Sequence, residues 1–303
     1  MKNKINFIFD QIKNNEIVNK SVFAFILKVI GAIFGYLFIL FVTRYFGAEV
    51  WGLFSLGLMM LNFFAIFGKL GVDTLLLKYV ASYNHNYSKI NSIYKKGIKI
   101  VFIASLFFSI LLFFSSEVIA YNIFDKPHLT SVLKIISIIL IPFSLLQLNI
   151  QVIRGLKRIK TAISLKDVLK FFCALILTII IYYFFNNKYI NTPVISFSIS
   201  VFLVCLVSFL FLYQFKSSEH IEILKLNQIL KESLPMVFST SIILIMSWVD
   251  IFMLGIFMNE VDIGIYNIAV RVSMVTSIIL VSVNSIVAPK ISDAYNNKKL
   301  NDF

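Results

Sequence analysis

Charged residues are scarce in this sequence. Only 14% of its 303 residues are Asp, Glu, Lys or Arg, whereas 59% are hydrophobic and the mean hydropathy is +0.89. A water-soluble domain averages about one quarter charged residues, so this chain lacks the polar surface that would cover a soluble fold. A bilayer allows helices to cross it because they satisfy their own backbone hydrogen bonds. The composition therefore predicts an all-α polytopic membrane protein whose main partner is the lipid bilayer.

Acidic residues are the rarer charge, and the 28 Lys and Arg against 15 Asp and Glu give a net charge of +13. The basic residues fall in short clusters between apolar runs and do not form one soluble face, which argues against nucleic acid as a partner. They instead have the distribution of signals that set the orientation of membrane helices.

Residues and motifs of enzymes are also missing. The two cysteines, Cys173 and Cys205, lie within apolar runs, so we expect no disulfide scaffold. The three histidines are isolated and have no metal-ligand spacing, and no glycine-rich loop for phosphate is present. We therefore expect no metal site, no cofactor and no enzymatic activity.

Long apolar runs are what the sequence does contain. A spanning helix needs about 20 apolar residues. Eight runs qualify, namely 21–43, 49–68, 98–121, 130–152, 164–185, 193–213, 235–257 and 264–288. The basic residues that lie between the runs or near their ends number 22 on one side and four on the other; Lys28 and Arg271, about seven residues inside their runs, are not counted. This distribution predicts a multi-pass protein of the cytoplasmic membrane with both termini cytoplasmic.

A shorter segment, 72–83, has an apolar helical face and is predicted to lie on the membrane surface.

One short pattern occurs twice. Residues 47–57 read GAEVWGLFSLG, residues 258–269 read MNEVDIGIYNIA, and Gly52 of the first copy corresponds to Gly264 of the second. Each copy falls in a predicted outer loop and enters the next span, six spans apart, so orientation is preserved. Such repeats predict two parallel lobes related by an axis along the membrane normal. We expect an N-lobe of six helices over 1–216, a linker over 217–234 and the first two helices of a C-lobe over 235–303.

The regions around the two copies resemble a known family. GYLFILFVTRYFGAEVWGLFSLG with GVDTLLLKYVA, and SWVDIFMLGIFMNEVDIGIYNIAVRV with NSIVAPKISDAY, look like the openings of the two lobes of Wzx-type polysaccharide flippases. These belong to the multidrug/oligosaccharidyl-lipid/polysaccharide exporter superfamily. The resemblance implies a V-shaped pair of lobes that moves undecaprenyl-diphosphate-linked oligosaccharide by alternating access, with polysaccharide export or polymerisation machinery as a partner. Family members have twelve to fourteen helices, so we expect this chain to be a truncated copy or a fragment.

Ionisable residues within spans are the candidate site residues, since each costs roughly 2.5–3.5 kcal/mol at mid-membrane. Lys28 shares a helical face with Gly31 and Gly35, which suit close helix packing. It is either a cavity cation for a diphosphate or a lysine that reaches the headgroups, and the sequence favours neither. Asp250 and Arg271 lie at equal predicted depth, which favours a buried structural charge pair over a direct substrate role.

Asn62 is the remaining substrate-cavity candidate, although polar stripes on spans more often join helices. Three other functions stay open. A cation-coupled small-molecule exporter would favour an acidic first lobe, which is not evident. A membrane polymerase or ligase would need a large outer loop, and the outer loops are short. A non-transporting remnant is the third alternative.

Overall fold

The computed structural model describes residues 16–83, 86–184, 189–213 and 225–273. All of the regular structure in these ranges is helical. The helices are α1 Glu16–Phe46, α2 Ala48–Lys69, α3 Val72–Ser82, α4 Tyr87–Val118 with a π-helical end Ile119–Ile123, α5 Leu129–Gly155, α6 Ile159–Phe184, α7 Thr192–Tyr213, α8 Leu226–Phe257 and α9 260–273. The all-α polytopic fold predicted from the composition is confirmed.

Seven of these helices are long and apolar enough to cross a membrane, namely α1, α2 and α4 to α8. They correspond to the first seven predicted spans. The eighth span is represented by α9, and the remainder of the predicted range 264–288 lies outside the described residues.

The predicted start of α8 at residue 235 is wrong, because the helix begins at Leu226. Gln228 caps this earlier start, since its side-chain oxygen accepts the backbone N–H of Lys225 at 2.9 Å.

Helix α2 lies at the centre of the bundle. Most of its side chains are buried, and several of the largest fully buried side chains belong to it, including Trp51, Leu53 and Phe54. Helices α1 and α8 keep broad apolar faces exposed, as expected of helices that face lipid. The core is therefore built around α2, which has protein neighbours on nearly every side.

The apolar face of helix α3 is covered by protein, so the prediction that this face packs on the membrane surface is wrong. Its apolar face is covered by α4 and α5. A β carbon built on Gly97 of α4 would contact Leu76, and one on Gly155 of α5 would contact Val80. Leu76 and Val80 are almost completely inaccessible. The amphipathic pattern is the same for a helix on lipid and for a helix on protein, because both surfaces are apolar.

The two copies of the repeated pattern pack directly on each other where α2 meets α9. A β carbon built on Gly52 would overlap the carbonyl oxygen of Glu260, and one built on Gly264 would overlap that of Ala48. Each would also lie 3.2 Å from the backbone nitrogen of the other glycine. Ala48 and Glu260 each precede a glycine by four residues. The contact is therefore reciprocal, as expected of two segments related by a local two-fold axis.

Helix α8 is attached to the rest of the bundle at both ends. Near its C-terminal end, the buried Lys126 donates hydrogen bonds from Nζ to the carbonyl oxygens of Gly255, at 2.8 Å, and Phe124, at 3.0 Å. Near its N-terminal end, Tyr79 of α3 donates a hydrogen bond of 2.7 Å to Glu232. These contacts attach the two ends of α8 to the loop before α5 and to α3.

Candidate functional site

Five aromatic rings from four helices meet next to the contact between α2 and α9. We call them the aromatic cluster: Phe38, Trp51, Phe54, Phe171 and Phe197. Their ring centroids lie between 5.0 Å, for Trp51 and Phe54, and 6.4 Å, for Phe38 and Phe171. The pairs are tilted or edge-to-face, which are favourable geometries for aromatic rings. The cluster joins α1, α2, α6 and α7 into one packed unit.

Lys170 lies against this cluster. Its Nζ is 4.8 Å from the ring centroid of Phe171 and 5.8 Å from that of Phe197, and the side chain is half-buried. Lys170 begins the second α-helical part of α6, directly after the π-helical segment Ser164–Leu169. Sequence reasoning missed this lysine as a site residue, because it was counted among the basic residues of a loop. Its position six residues inside a predicted span was the available signal.

Arg271 approaches the same cluster from α9. Its guanidinium carbon is 5.7 Å from the ring of Trp51, and its Nε donates a hydrogen bond of 3.1 Å to Oδ1 of Asn267. The same Oδ1 accepts a second hydrogen bond of 3.1 Å from Nε1 of Trp51. Trp51 and Asn267 are both buried. One amide oxygen therefore connects α2 to the arginine of α9.

Lys170 and Arg271 are close enough to act on each other electrostatically. Lys170 is attracted by Asp167 and repelled by Lys166 and Arg271. Asp167 is thus one negative charge among three positive charges. Two half-buried cations that lie against aromatic rings and outnumber the carboxylate of Asp167 are suited to bind an anion with two or more negative charges.

Lys28 is exposed on α1, one turn before Gly31 and two turns before Gly35, with which it shares a helical face. Gly31 packs against the backbone and Cβ of Asp167, and Gly35 lies near the ring of Phe171. Helices α1 and α6 run in the same direction, so the Gly31–Asp167 contact marks the same depth along both helix axes. At about 1.5 Å per residue, Lys28 lies roughly 4.5 Å on one side of that depth and Lys170 roughly 4.5 Å on the other.

Asp250 and Arg271 do not pair, and this prediction is corrected by their observed partners. No ion pair joins them among the described residues; Asp250 instead accepts a hydrogen bond of 3.0 Å from Tyr266, whereas Arg271 binds Asn267. Tyr266 and Arg271 are five residues apart on α9, so they project about 140° apart around the helix. Equal depth therefore did not place the two charges on facing surfaces.

Asn62 lies outside the cationic group, on the part of α2 that faces α8. Its Nδ2 donates to the carbonyl oxygen of Leu58 in its own helix at 2.7 Å. It lines a cavity of about 550 Å³ between α2, the end of α4 and α8, together with residues such as Phe63, Trp248 and Phe252. Apart from Asn62 and the indole nitrogen of Trp248, the lining side chains are apolar.

Within the described ranges, no three His, Cys, Asp or Glu side chains lie close enough together to hold a metal ion. The chemistry that this region offers is therefore that of the two cations, the aromatic rings and the apolar cavity.

Comparisons with solved structures show the fold. The MATE multidrug transporter DinF-BH, solved in complex with a ligand, superposes with a TM-score of 0.65 at 15% sequence identity. A chain named protein A superposes with a TM-score of 0.61 at 16% identity. In both cases 86% of this chain is covered, but it spans only 61% of the length of the other chain. A comparison with curated proteins finds no match.

The family comparison covers most of the sequence. The model of the family described as "Polysaccharide biosynthesis protein" matches residues 17–294. This range includes both copies of the repeated pattern, the aromatic cluster, Lys170 and Arg271. The family match agrees with the resemblance to Wzx-type flippases and with a multi-pass membrane fold. The chain belongs to the polysaccharide biosynthesis protein family.

Proposed function

We propose that this chain takes part in moving a lipid-linked oligosaccharide, carried on undecaprenyl diphosphate, across the cytoplasmic membrane for surface polysaccharide synthesis. The transport is by alternating access between two lobes. The N-lobe comprises 1–216, the linker is 217–234, whose last residues 226–234 already belong to α8, and the start of the C-lobe is 235–303. Both termini are cytoplasmic. Family membership supports the substrate class, and the reciprocal contact of Gly52 and Gly264 supports the division into lobes.

The single observation that carries the proposal is the position of Lys170 and Arg271. The two cations belong to different proposed lobes, and both lie against the aromatic cluster. A diphosphate has enough negative charge to engage both at once, because each phosphate can accept charge-assisted hydrogen bonds. Sugar rings adjoining the diphosphate can pack on aromatic faces. In this proposal Lys170 and Arg271 bind the diphosphate, and Lys28 attracts it from the cytoplasmic side.

The apolar cavity between α2 and α8 supports a lipid as part of the substrate. Its lining offers almost no hydrogen-bonding groups, so a hydrocarbon chain can enter it without loss of hydrogen bonds. Asn62 already bonds within its own helix, which makes it a minor contributor. The proposed ligand thus has a charged part at the cations and an apolar part in lipid or in this cavity.

The test is binding of farnesyl diphosphate, a short polyprenyl diphosphate, to the purified full chain. We expect Lys170→Ala and Arg271→Ala each to weaken binding about tenfold or more, since a charge-assisted hydrogen bond contributes about 1.5–3 kcal/mol. Lys166→Ala is the matched control, because Lys166 lies on the same helical segment but is exposed. Farnesol, which lacks the diphosphate, should bind weakly to all four proteins. Equal affinity of Lys170→Ala, Arg271→Ala and the unaltered chain would overturn the proposal.

The same assay separates the proposal from a small-molecule exporter. The excess of positive charge at Lys170 and Arg271 should repel a cationic drug, so such a drug should bind no better to the unaltered chain than to Lys170→Ala. Preferential binding of the drug, together with failure of farnesyl diphosphate to bind, would favour the exporter. Binding of neither would favour a non-transporting protein.

A further inference from the structure

The contact between α2 and α9 lies directly beside the cationic group, and one residue connects the two. We call the contact between residues 48–52 and 260–264 the outer contact, after its place at the predicted outer end of both helices. Asn267 lies one helical turn beyond Gly264 and one turn before Arg271. It therefore stands between the outer contact and the cation proposed to bind substrate.

Asn267 holds three groups together through a single atom. Its Oδ1 accepts a hydrogen bond from Trp51 of α2 and another from Arg271 of its own helix, both at 3.1 Å. The guanidinium also lies over the ring of Trp51, at 5.7 Å. Arg271 is thus directed toward Trp51. The hydrogen bond between Trp51 and Asn267 and the contact of Arg271 with the Trp51 ring both join α9 to α2. The buried amide would lose the donor of Trp51 if the helices separated, whereas Arg271 would stay within reach because it lies on the same helix.

An anion at Arg271 competes with this arrangement. A phosphate oxygen is a stronger acceptor for the guanidinium than an amide oxygen, because both partners are then charged and the pair can form two parallel hydrogen bonds. A bound diphosphate would turn the guanidinium toward itself, away from Asn267 and Trp51. The outer contact would then lose part of what holds α9 on α2.

We propose that Asn267 is a positioning residue that keeps the outer contact closed while no anion is bound, and that anion binding to Arg271 releases it. The proposal rests on the proposed function, since it takes a diphosphate as the ligand of Arg271. It adds a coupling between binding and opening that the presence of two lobes does not by itself provide. A ligand can shift a conformational equilibrium only through different contacts in the two states, and Arg271 supplies that difference.

The experiment measures how fast a cysteine in the contact region reacts with a maleimide. Ile263 precedes Gly264 and is fully buried, so Ile263→Cys reports separation of the helices. Cys173 and Cys205 are replaced by alanine in this reference protein. The purified full chain is labelled in detergent with and without farnesyl diphosphate. In the reference we expect slow labelling that farnesyl diphosphate accelerates several-fold.

Two substitutions at position 267 should act in opposite directions. Asn267→Leu removes the acceptor, so labelling should be up to about tenfold faster without ligand and should respond little to it, since the hydrogen bond from Trp51 that joins the two helices is lost. Asn267→Asp keeps the acceptor and adds a negative charge beside Arg271. Its labelling should stay slow with and without farnesyl diphosphate. A residue with only a structural role would loosen the contact in both variants and would leave the ligand response unchanged.

Ser55→Ala is the matched control, because Ser55 is buried on α2 but bonds only to the carbonyl oxygen of Trp51 in its own helix. It should behave as the reference. If Asn267→Leu labels as slowly as the reference without ligand, or if Asn267→Asp labels faster than the reference, the coupling is wrong. Calorimetry with farnesyl diphosphate is run in parallel. Absence of binding to the reference would overturn the proposed function, whereas the ligand-free comparison of Leu and Asp would still decide whether Asn267 holds the contact closed.

Discussion

Gly52 and Gly264 lie backbone to backbone, and each also meets the carbonyl group of the residue four positions before the other. Any β carbon at either position would overlap that carbonyl oxygen. Gly52→Ala and Gly264→Ala should therefore push α2 and α9 apart, at a cost of about 1–3 kcal/mol typical of overpacking. We expect each variant to lower the thermal unfolding temperature in detergent and to speed labelling of Ile263→Cys.

Gly35→Ala is the control for these substitutions. A β carbon at Gly35 would lie 3.8 Å from the ring of Phe171, which is an ordinary contact. Its stability should be unchanged or slightly raised, because alanine favours a helix. Equal stability of Gly52→Ala and Gly35→Ala would contradict the close contact of α2 with α9.

Lys126 should stabilise the attachment of α8 to the loop between α4 and α5. Replacing it by methionine leaves the carbonyl oxygen of Gly255 without this donor, and hydrogen bonds to a charged group contribute about 1.5–3 kcal/mol. Lys126→Met should therefore lower the unfolding temperature clearly. Lys134→Met should not, because Lys134 and its partner Glu117 are both exposed, although their ion pair is short at 2.7 Å. Similar losses for the two variants would show that the buried bonds of Lys126 do not matter.

The hydrogen bond from Tyr79 to Glu232 should join α3 to α8 over the whole physiological pH range. This bond, with burial as a smaller cause, raises the pKa of Tyr79 from 10.0 to about 12. The neutral phenol is the form that is stabilised, so the contribution is fully present below pH 10 and is lost as the pH rises through 12.

Tyr79→Phe should consequently produce a small loss of stability that is the same at about pH 6 and about pH 8, since both lie below the pKa of the free phenol. Tyr83→Phe, one turn further along, is the matched control because the Tyr83 hydroxyl has no hydrogen-bond partner among the described residues. It should be neutral. A loss for Tyr79→Phe that changes between these two pH values would point to another titrating group.

Arg271 should need its guanidinium and not only its charge. Arginine can bind a phosphate through two parallel hydrogen bonds, whereas a lysine offers a point charge without this geometry. Arg271→Lys should therefore bind farnesyl diphosphate more tightly than Arg271→Ala but less tightly than the unaltered chain. Titration calorimetry at one fixed salt concentration gives this order. Full affinity of Arg271→Lys would show that charge alone suffices.

Lys28 should affect the approach of the substrate more than its binding. It is exposed and lies roughly 9 Å along the helix axis from Lys170, by the helical rise of α1 and α6. Lys28→Ala should raise the KM for translocation of a fluorescent polyprenyl diphosphate in vesicles, with little change in kcat. Unchanged KM at matched protein levels would leave Lys28 as a lysine that merely reaches the headgroups.

The spans could be predicted from the sequence because their signal is local. Apolar length and the basic residues between runs are enough to find the helices. The repeated pattern around Gly52 and Gly264 also marked two segments that pack on each other in the structure. The boundary of α8 could not be read, because residues 226–234 are amphipathic and join the following apolar run without a break.

Partners of the charged residues could not be predicted, because they depend on which helical faces meet. The depth of a residue in the membrane can be predicted by counting residues from the end of its helix, and this count puts Asp250 and Arg271 at the same depth. Rotation about the helix axis is not readable without the neighbours, so Tyr266 and Asn267 were missed as the actual partners. Lys170 was missed because its basic neighbours made it look like part of a loop.

The most direct test of the central claim is a cryo-EM structure of the full chain with farnesyl diphosphate. We predict density for the diphosphate between Nζ of Lys170 and the guanidinium of Arg271, next to the aromatic cluster, with Arg271 turned away from Asn267. Diphosphate density elsewhere, with both cations still directed toward the aromatic rings, would contradict this prediction.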